Sequence, residues 1–188
     1  MWKILLTVSL IPLAFSIIAR WWFGLRVLAD EGQRLCRCDL EVWLPEPGDD
    51  AVIHRAEAPA AEFGRQLRLK ALAAWAERDP KSATARENNR RFGMAVPPLS
   101  GIVAVMAVLV AKIPIMGAAV VVLTATALSC ALGLLSLGPE LQAIALAVRQ
   151  ARERRTFPNG DDHDAVARSA IAHAWKETLP PVIALVQR

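Results

Sequence analysis

Residues 92–138 form the longest apolar stretch of the chain, and Lys112 is the only charged residue within it. Lys112 divides the stretch into one run of 20 residues, 92–111, and one of 25 residues, 113–137. A helix needs about 20 apolar residues to cross the hydrocarbon core of a bilayer, and a lysine placed in that core costs several kcal/mol. The pattern therefore predicts a transmembrane helical hairpin that turns at Lys112 and Pro114.

A second apolar segment opens the chain. Residues 4–19 are mostly apolar and follow Lys3, a pattern typical of either a cleaved signal peptide or an uncleaved anchor. The segment continues to Trp21 and Trp22 beside Arg20, an arrangement typical of a membrane interface. We favour a first transmembrane helix over residues 1–23, with cleavage as the alternative.

Residues 24–91 form a polar region that combines strand and helix signals. Residues 36–44 alternate apolar and mostly polar positions, which predicts a strand, and residues 51–54 offer a return strand for a short β-hairpin. Asp79 and Pro80 have the residue types of an N-cap and first helical position, so they predict a polar helix that ends near Gly93.

Between these two signals, residues 58–78 predict an amphipathic helix. Its apolar positions are four residues apart and form one stripe: Phe63, Leu67, Ala71 and Trp75. Basic residues are expected elsewhere on its surface: Arg65, Arg68 and Lys70. Such a helix suits a membrane surface or a partner protein.

Residues 139–188 predict cytosolic or interfacial helices. Residues 138–140, Gly-Pro-Glu, mark the exit from the hairpin, and residues 141–155 continue as a helix with a basic end. Residues 158–160 are a turn signal, and the aspartates that follow are suited to cap a final helix through about Glu177. That helix carries too many polar residues for a lipid-exposed span.

These segments predict a mainly α-helical membrane protein with three transmembrane helices. The chain has 188 residues, is 54% hydrophobic and carries 22 Lys and Arg against 18 Asp and Glu. Residues 20–91 hold 13 Lys and Arg and residues 138–188 hold 7, so the positive-inside rule places both polar regions in the cytoplasm and the N-terminus outside. We expect a bacterial inner membrane protein.

The excess of basic residues indicates contact with anionic lipid headgroups rather than nucleic acid. The residues expected at the membrane interface combine aromatic and basic side chains next to apolar segments: Trp21, Trp22, Arg90, Arg91, Lys112, Arg149, Arg152, Arg154 and Arg155. Small residues in the second half of the hairpin permit close helix packing: Gly117, Ala118, Ala119, Ala125, Ala131 and Gly133.

The best metal-ligand candidates are Cys36, Cys38 and His54, which offer three of zinc's four tetrahedral positions. Cys-x-Cys on a strand places both sulfurs on one face, an arrangement more typical of small core residues. His163 among aspartates could contact a cation, although a solvated helix cap is the favoured interpretation. The sequence contains no nucleophile motif and no phosphate-binding loop, so we predict no catalytic residue and no cofactor.

Two segments carry a resemblance to a known family. Residues 136–143, Ser-Leu-Gly-Pro-Glu-Leu-Gln-Ala, precede an arginine-bearing helix, and residues 165–188 form an alanine-rich end. Together with the order of anchor, soluble region and hairpin, they resemble the membrane-embedded neutral zinc metallopeptidases of the YugP type. The family's HExxH motif is missing, since Arg55 follows His54 and the chain has no His-Glu pair. The resemblance therefore implies a shortened, non-catalytic relative and supplies no zinc ligand.

The sequence thus predicts a non-catalytic accessory or scaffold subunit that packs against other integral membrane proteins. It would belong to a multi-subunit complex or a homo-oligomer. The alternatives are a degenerate metallopeptidase-like protein and a lipid-binding module.

Overall fold

The structure, a computed structural model, describes residues 2–43, 55–110 and 113–177 and is mainly helical. Helix α1 is Trp2–Ala19, a π-helical segment covers Arg20–Leu25, and α2 is Arg26–Asp30. The remaining elements are β1 (Leu35–Arg37), α3 (Leu40–Trp43), β2 (Glu57–Pro59), α4 (Ala60–Arg78), α5 (Pro80–Leu109), α6 (Ile115–Glu153) and α7 (Gly160–Glu177).

Three helices are long and apolar enough to cross a membrane, as the sequence predicts: Leu6–Asp30, Pro80–Leu109 and Ile115–Glu153. All three extend beyond the predicted bounds, the first of them to Asp30 instead of residue 23. The predicted polar helix ending near Gly93 and the first half of the hairpin are one helix, α5, which runs through Pro97 and Pro98. The predicted exit at residues 138–140 does not interrupt α6. A helix end in apolar surroundings leaves several backbone groups unpaired, whereas a proline within a helix removes only one backbone hydrogen bond. The helices therefore continue through their prolines.

The contacts divide the chain into two compact units. The first, which we call the apolar unit, consists of Met1–Arg20, Thr84–Leu137 and Glu177–Arg188. The second, the polar unit, consists of Trp21–Ala83 and Gly138–Lys176.

In the apolar unit, α1 packs against α6. Leu13 forms a buried cluster with Ala127 and Cys130. The hydroxyl groups of Ser9 and Thr124 are hydrogen-bonded at 3.1 Å. Small side chains let the two helices approach closely, and the paired hydroxyls satisfy each other inside an otherwise apolar contact.

Most of the small residues predicted to pack are at least half-buried in this unit, whereas α5 exposes many large apolar side chains. Of the six predicted packing residues, Gly117 is buried, Ala119 is exposed, and four are half-buried: Ala118, Ala125, Ala131 and Gly133. Only 17% of the most apolar part of α5 is buried. The small residues of α6 are therefore partly covered within this chain, while α5 exposes mostly large side chains.

In the polar unit, the stripe predicted on α4 forms the core. Phe63, Leu67, Ala71 and Trp75 are all buried. Phe63 makes edge contacts with Trp43 and Phe157 at ring-centroid distances of 5.4 and 5.5 Å. The apolar side chains of α4 lie on one helix face because they are four residues apart, and this face packs against the aromatic cluster.

A small two-stranded antiparallel sheet is confirmed, but its first strand is shorter than predicted and its second strand is residues 57–59, which were not predicted as a strand. β1 pairs with β2 through Leu35↔Pro59, Cys36↔Ala58 and Arg37↔Glu57. Residues 51–54, expected as the return strand, lie outside the described residues.

Residues 40–43 were expected to continue the first strand and are instead the short helix α3. Asp39 explains the change, because its carboxylate accepts a hydrogen bond from the backbone N–H of Glu41 and its carbonyl accepts one from Trp43. These contacts are those of a helix N-cap.

The end of α6 is closed by a Schellman motif. The N–H of Thr156 donates to the carbonyl of Ala151, and the N–H of Arg155 donates to that of Arg152. Arg155 has φ 52°, a left-handed conformation that glycine adopts without strain.

We expect Arg155→Gly to raise the free energy of unfolding by about 1 kcal/mol, because it removes the left-handed strain. Urea unfolding in detergent measures the change. Arg152→Gly is the matched control, since it removes the same charge from the last turn of α6 and should destabilise by about 1 kcal/mol. Equal effects of the two variants would contradict this explanation.

Candidate functional site: a charged groove on the polar unit

A charged groove of about 370 Å³ lies on the polar unit, where the end of α2 and the loop before β1 approach the first half of α7. It is lined by Glu31, Arg34, Asp161, Asp164, Ala165 and Arg168. Charged side chains of both signs therefore line one concave surface.

The first turn of α7 builds one wall of this groove. The side-chain oxygen of Asn159 accepts a hydrogen bond from the N–H of Asp161 at 3.3 Å, which caps the helix. Asp161 and Asp162 lie in the first turn, where negative charge is stabilised by the helix dipole. The predicted acidic start of this helix is thus observed in the structure.

Ion pairs connect the walls. The guanidinium of Arg34 is 3.2 Å from the carboxylate of Asp162 and 3.7 Å from that of Asp161. Arg168 donates to Glu31 at 2.6 Å, and this hydrogen bond raises the pKa of Arg168. Arg34, Asp161 and Arg168 nevertheless remain 46%, 78% and 60% exposed. They can therefore exchange their internal pairs for charges on a docked molecule.

A buried ion pair in the polar unit joins α4 to α6. The Nε of Arg68 donates to Glu140 at 2.6 Å, and the two side chains are 3% and 4% exposed. The prediction that Arg68 lies on the helix surface is wrong. Its spacing from Gly64, Ala71 and Trp75 is that of a single helix face. This spacing indicates the buried face of α4, but it does not identify the carboxylate that Arg68 needs there.

Both thiols of the Cys-x-Cys segment are buried. The Sγ of Cys36 approaches the carbonyls of Arg34 and Asp162 at 3.7 and 3.9 Å, and that of Cys38 approaches the carbonyl of Arg55 at 3.8 Å. Burial is the main cause that raises the pKa of each thiol to about 11, with smaller contributions from the charges of Asp162 and Asp39 respectively. Both are small core residues, as their alternation on a strand favours.

In the part of the chain that the structure describes, no group of three or more His, Cys, Asp or Glu side chains is placed to hold a metal ion. His54, the third predicted ligand, lies outside that part. A zinc site at Cys36, Cys38 and His54 stays a prediction.

We expect iodoacetamide to label Cys36 and Cys38 slowly in the folded protein. With the pKa raised from 9.0 to about 11, the thiolate fraction at pH 8 falls about 100-fold. The labelling rate should keep rising up to about pH 11 instead of levelling above pH 9. Peptide mass mapping follows each cysteine separately, and urea-unfolded protein is the control. Rapid labelling of the folded protein at pH 8 would contradict this expectation.

The two described histidines bond to backbone carbonyls. His163 is 7% exposed, and its Nε2 lies 3.1 Å from the carbonyl of Val148. The favoured interpretation of His163 as part of a solvated cap is therefore wrong, because Phe157 and α6 enclose its ring. The Nε2 of His173 lies 2.9 Å from the carbonyl of Ala61. A carbonyl can only accept, so each Nε2 carries a proton and connects two helices.

The residues predicted at a membrane interface are mostly exposed. Trp21 and Trp22 are 52% and 50% exposed, and Arg26 lies over the Trp22 ring at 4.7 Å. Arg90 and Arg91 both bind Glu87. Arg149 binds Glu153, and three further arginines are exposed: Arg152, Arg154 and Arg155. Lys112 lies outside the described residues.

Taken together, the polar unit offers a charged concave surface, and several polar groups of its interior are paired. Backbone carbonyls are contacted by His163, His173 and the thiols of Cys36 and Cys38, and Arg68 is bound to Glu140. This arrangement suits binding through exposed charges. Comparisons with protein-family models, curated proteins and solved structures find no match to the chain.

Proposed function

We propose that the chain is a non-catalytic integral membrane accessory or scaffold subunit whose polar unit docks on another integral membrane protein. The observation that carries the proposal is the groove of Arg34, Asp161 and Arg168, whose charges stay substantially exposed while they bridge three segments. Exposed charges of both signs on one surface select a partner by complementary charge.

The apolar helices support the membrane part of the proposal. The most apolar segments of α5 and α6 are only 17% and 28% buried. Large apolar surfaces therefore remain for contact with lipid or with helices of a partner. By the count of basic residues, the polar unit lies in the cytoplasm and the N-terminus outside a bacterial inner membrane. Anionic headgroups would then contact the exposed arginines at the end of α6.

Affinity purification in mild detergent, after cross-linking in the membrane, tests the scaffold role. We expect the wild type to bring down a stoichiometric membrane subunit, and Arg168→Ala to reduce its recovery about tenfold, because one exposed groove charge is removed. Arg65→Ala is the matched control, since Arg65 is also an exposed helical arginine but does not line the groove. Recovery of the wild type alone and monomeric in several detergents would contradict the proposal.

Arg168→Ala is expected to change stability only slightly, so its effect on binding can be separated from an effect on folding. Arg168 and Glu31 are both partly exposed, and exposed ion pairs contribute only about 0–1 kcal/mol. Arg168→Ala should therefore melt close to the wild type. Equal recovery of the subunit by Arg168→Ala and Arg65→Ala would show that the groove is not the docking surface.

A further inference from the structure

Arg20 is a buried cation at the end of α1. The residue is 8% exposed, and its Nε and Nη1 have no hydrogen-bond partner among residues 2–43, 55–110 and 113–177. A buried charge without a counter-charge is strongly unfavourable. Every other buried arginine of the described chain, namely Arg68, is bound to a carboxylate. We therefore expect the counter-charge of Arg20 to be an anion outside the described residues.

The position of Arg20 along the chain indicates which anion. Helix α1 has 18 residues, which at 1.5 Å per residue extend about 27 Å, close to the thickness of a bilayer's hydrocarbon core. Arg20 follows directly, and the half-exposed Trp21 and Trp22 come next. Tryptophan is enriched at the headgroup level of membranes. If the chain inserts as proposed, Arg20 lies at the depth of the lipid phosphates.

We propose that Arg20 binds the phosphate of an anionic phospholipid such as phosphatidylglycerol. Guanidinium is the side chain best matched to phosphate oxygens, and a long arginine side chain can extend from an apolar helix toward the headgroups. An anionic lipid neutralises Arg20, whereas the phosphate of phosphatidylcholine is already paired with its own choline. The proposal rests on the membrane placement but needs no partner subunit.

Thermal unfolding of the full chain in a neutral detergent tests the site. Samples receive phosphatidylglycerol, phosphatidylcholine or inorganic phosphate, and native mass spectrometry counts retained lipids. For the wild type we expect phosphatidylglycerol to raise Tm by about 3–5 °C through preferential binding to the folded state. Arg20→Met should respond by less than about 1 °C, because the lipid's counter-charge is gone.

Two comparisons distinguish loss of lipid binding from a folding defect. Without lipid, Arg20→Met should melt at or above the wild type, since it removes a buried charge that lacks a partner. Arg26→Met is the matched control: Arg26 is an exposed arginine that pairs with Asp30 at 3.7 Å, and this variant should keep the full response to phosphatidylglycerol.

Four results would overturn the proposal. One is an unchanged lipid response in Arg20→Met, and another is a large loss of stability in that variant without lipid. A third is equal stabilisation by inorganic phosphate, which would indicate a free-anion site. The fourth is stabilisation only by a co-purified subunit, which would indicate a partner's carboxylate. Loss of the scaffold role alone would leave the lipid response unchanged, so the two proposals fail separately.

Discussion

Replacing Arg68 with methionine is expected to lower the free energy of unfolding of the polar unit by about 3–5 kcal/mol. The substitution leaves the carboxylate of Glu140 buried at 4% exposure without the guanidinium that binds it at 2.6 Å. Removing one member of a buried ion pair is costly because the remaining charge stays out of water. Urea unfolding followed by tryptophan fluorescence measures the loss, since Trp43 and Trp75 are buried in this unit.

A double-mutant cycle separates the ion pair from simple loss of packing. Arg68→Met combined with Glu140→Gln removes both charges while keeping similar volumes, and it should recover a large part of the stability lost by the single variant. Arg65→Met is the surface control on the same helix and should change the free energy of unfolding by less than about 0.5 kcal/mol. Additive effects of the two substitutions at Arg68 and Glu140 would show that the pair is not coupled.

Gly64→Ala is the second substitution with a large expected effect, because α4 and α7 meet at Gly64. A methyl group there would lie 2.7 Å from the backbone N of Ala170 and from the Cβ of Ser169. The backbone of α7 cannot yield as a flexible side chain would, so we expect a loss of about 1–3 kcal/mol from overpacking. This loss should exceed the gain of up to about 1 kcal/mol that alanine brings to a helix.

Gly138→Ala is the matched control for this prediction. Gly138 also lies within a helix of the polar unit, but no neighbouring atom lies within 4 Å of the added methyl group. This variant should therefore be as stable as the wild type or more stable. Thermal unfolding of both variants in one detergent gives the comparison. Equal melting temperatures would indicate that α4 and α7 can separate without cost.

The spacing of residues along α4 predicts its buried apolar side chains but not its buried charge. The spacing of Phe63, Leu67, Ala71 and Trp75 was sufficient to predict a buried stripe, because helical geometry alone places these residues on one face. It was not sufficient for Arg68, whose burial depends on a carboxylate 72 residues away. A charge is expected at the surface unless a partner is known, and sequence spacing cannot identify that partner.

The first strand of the sheet ends earlier than the alternation of residues predicts, because a local helix cap follows it. Residues 36–44 have the period of a strand, yet Asp39 caps a helical turn and places Trp43 in the aromatic cluster. The pairing partner of β1 is β2, directly before α4. Two strands of three residues are stable here because Cys36 and Ala58 are buried against the rest of the polar unit.

The sequence by itself determined the mainly helical architecture, the three long apolar helices and the stripe on α4, because these follow from local periodicity and length. The resemblance to the zinc metallopeptidases and the scaffold role stay predictions. Only the tertiary structure decided which charges are paired and which are exposed: it buries Arg68 against Glu140, encloses His163 and assembles the groove from α2, the loop before β1 and α7. Such pairings join residues distant in the chain, and the free energy of a charge depends on burial and on its partner.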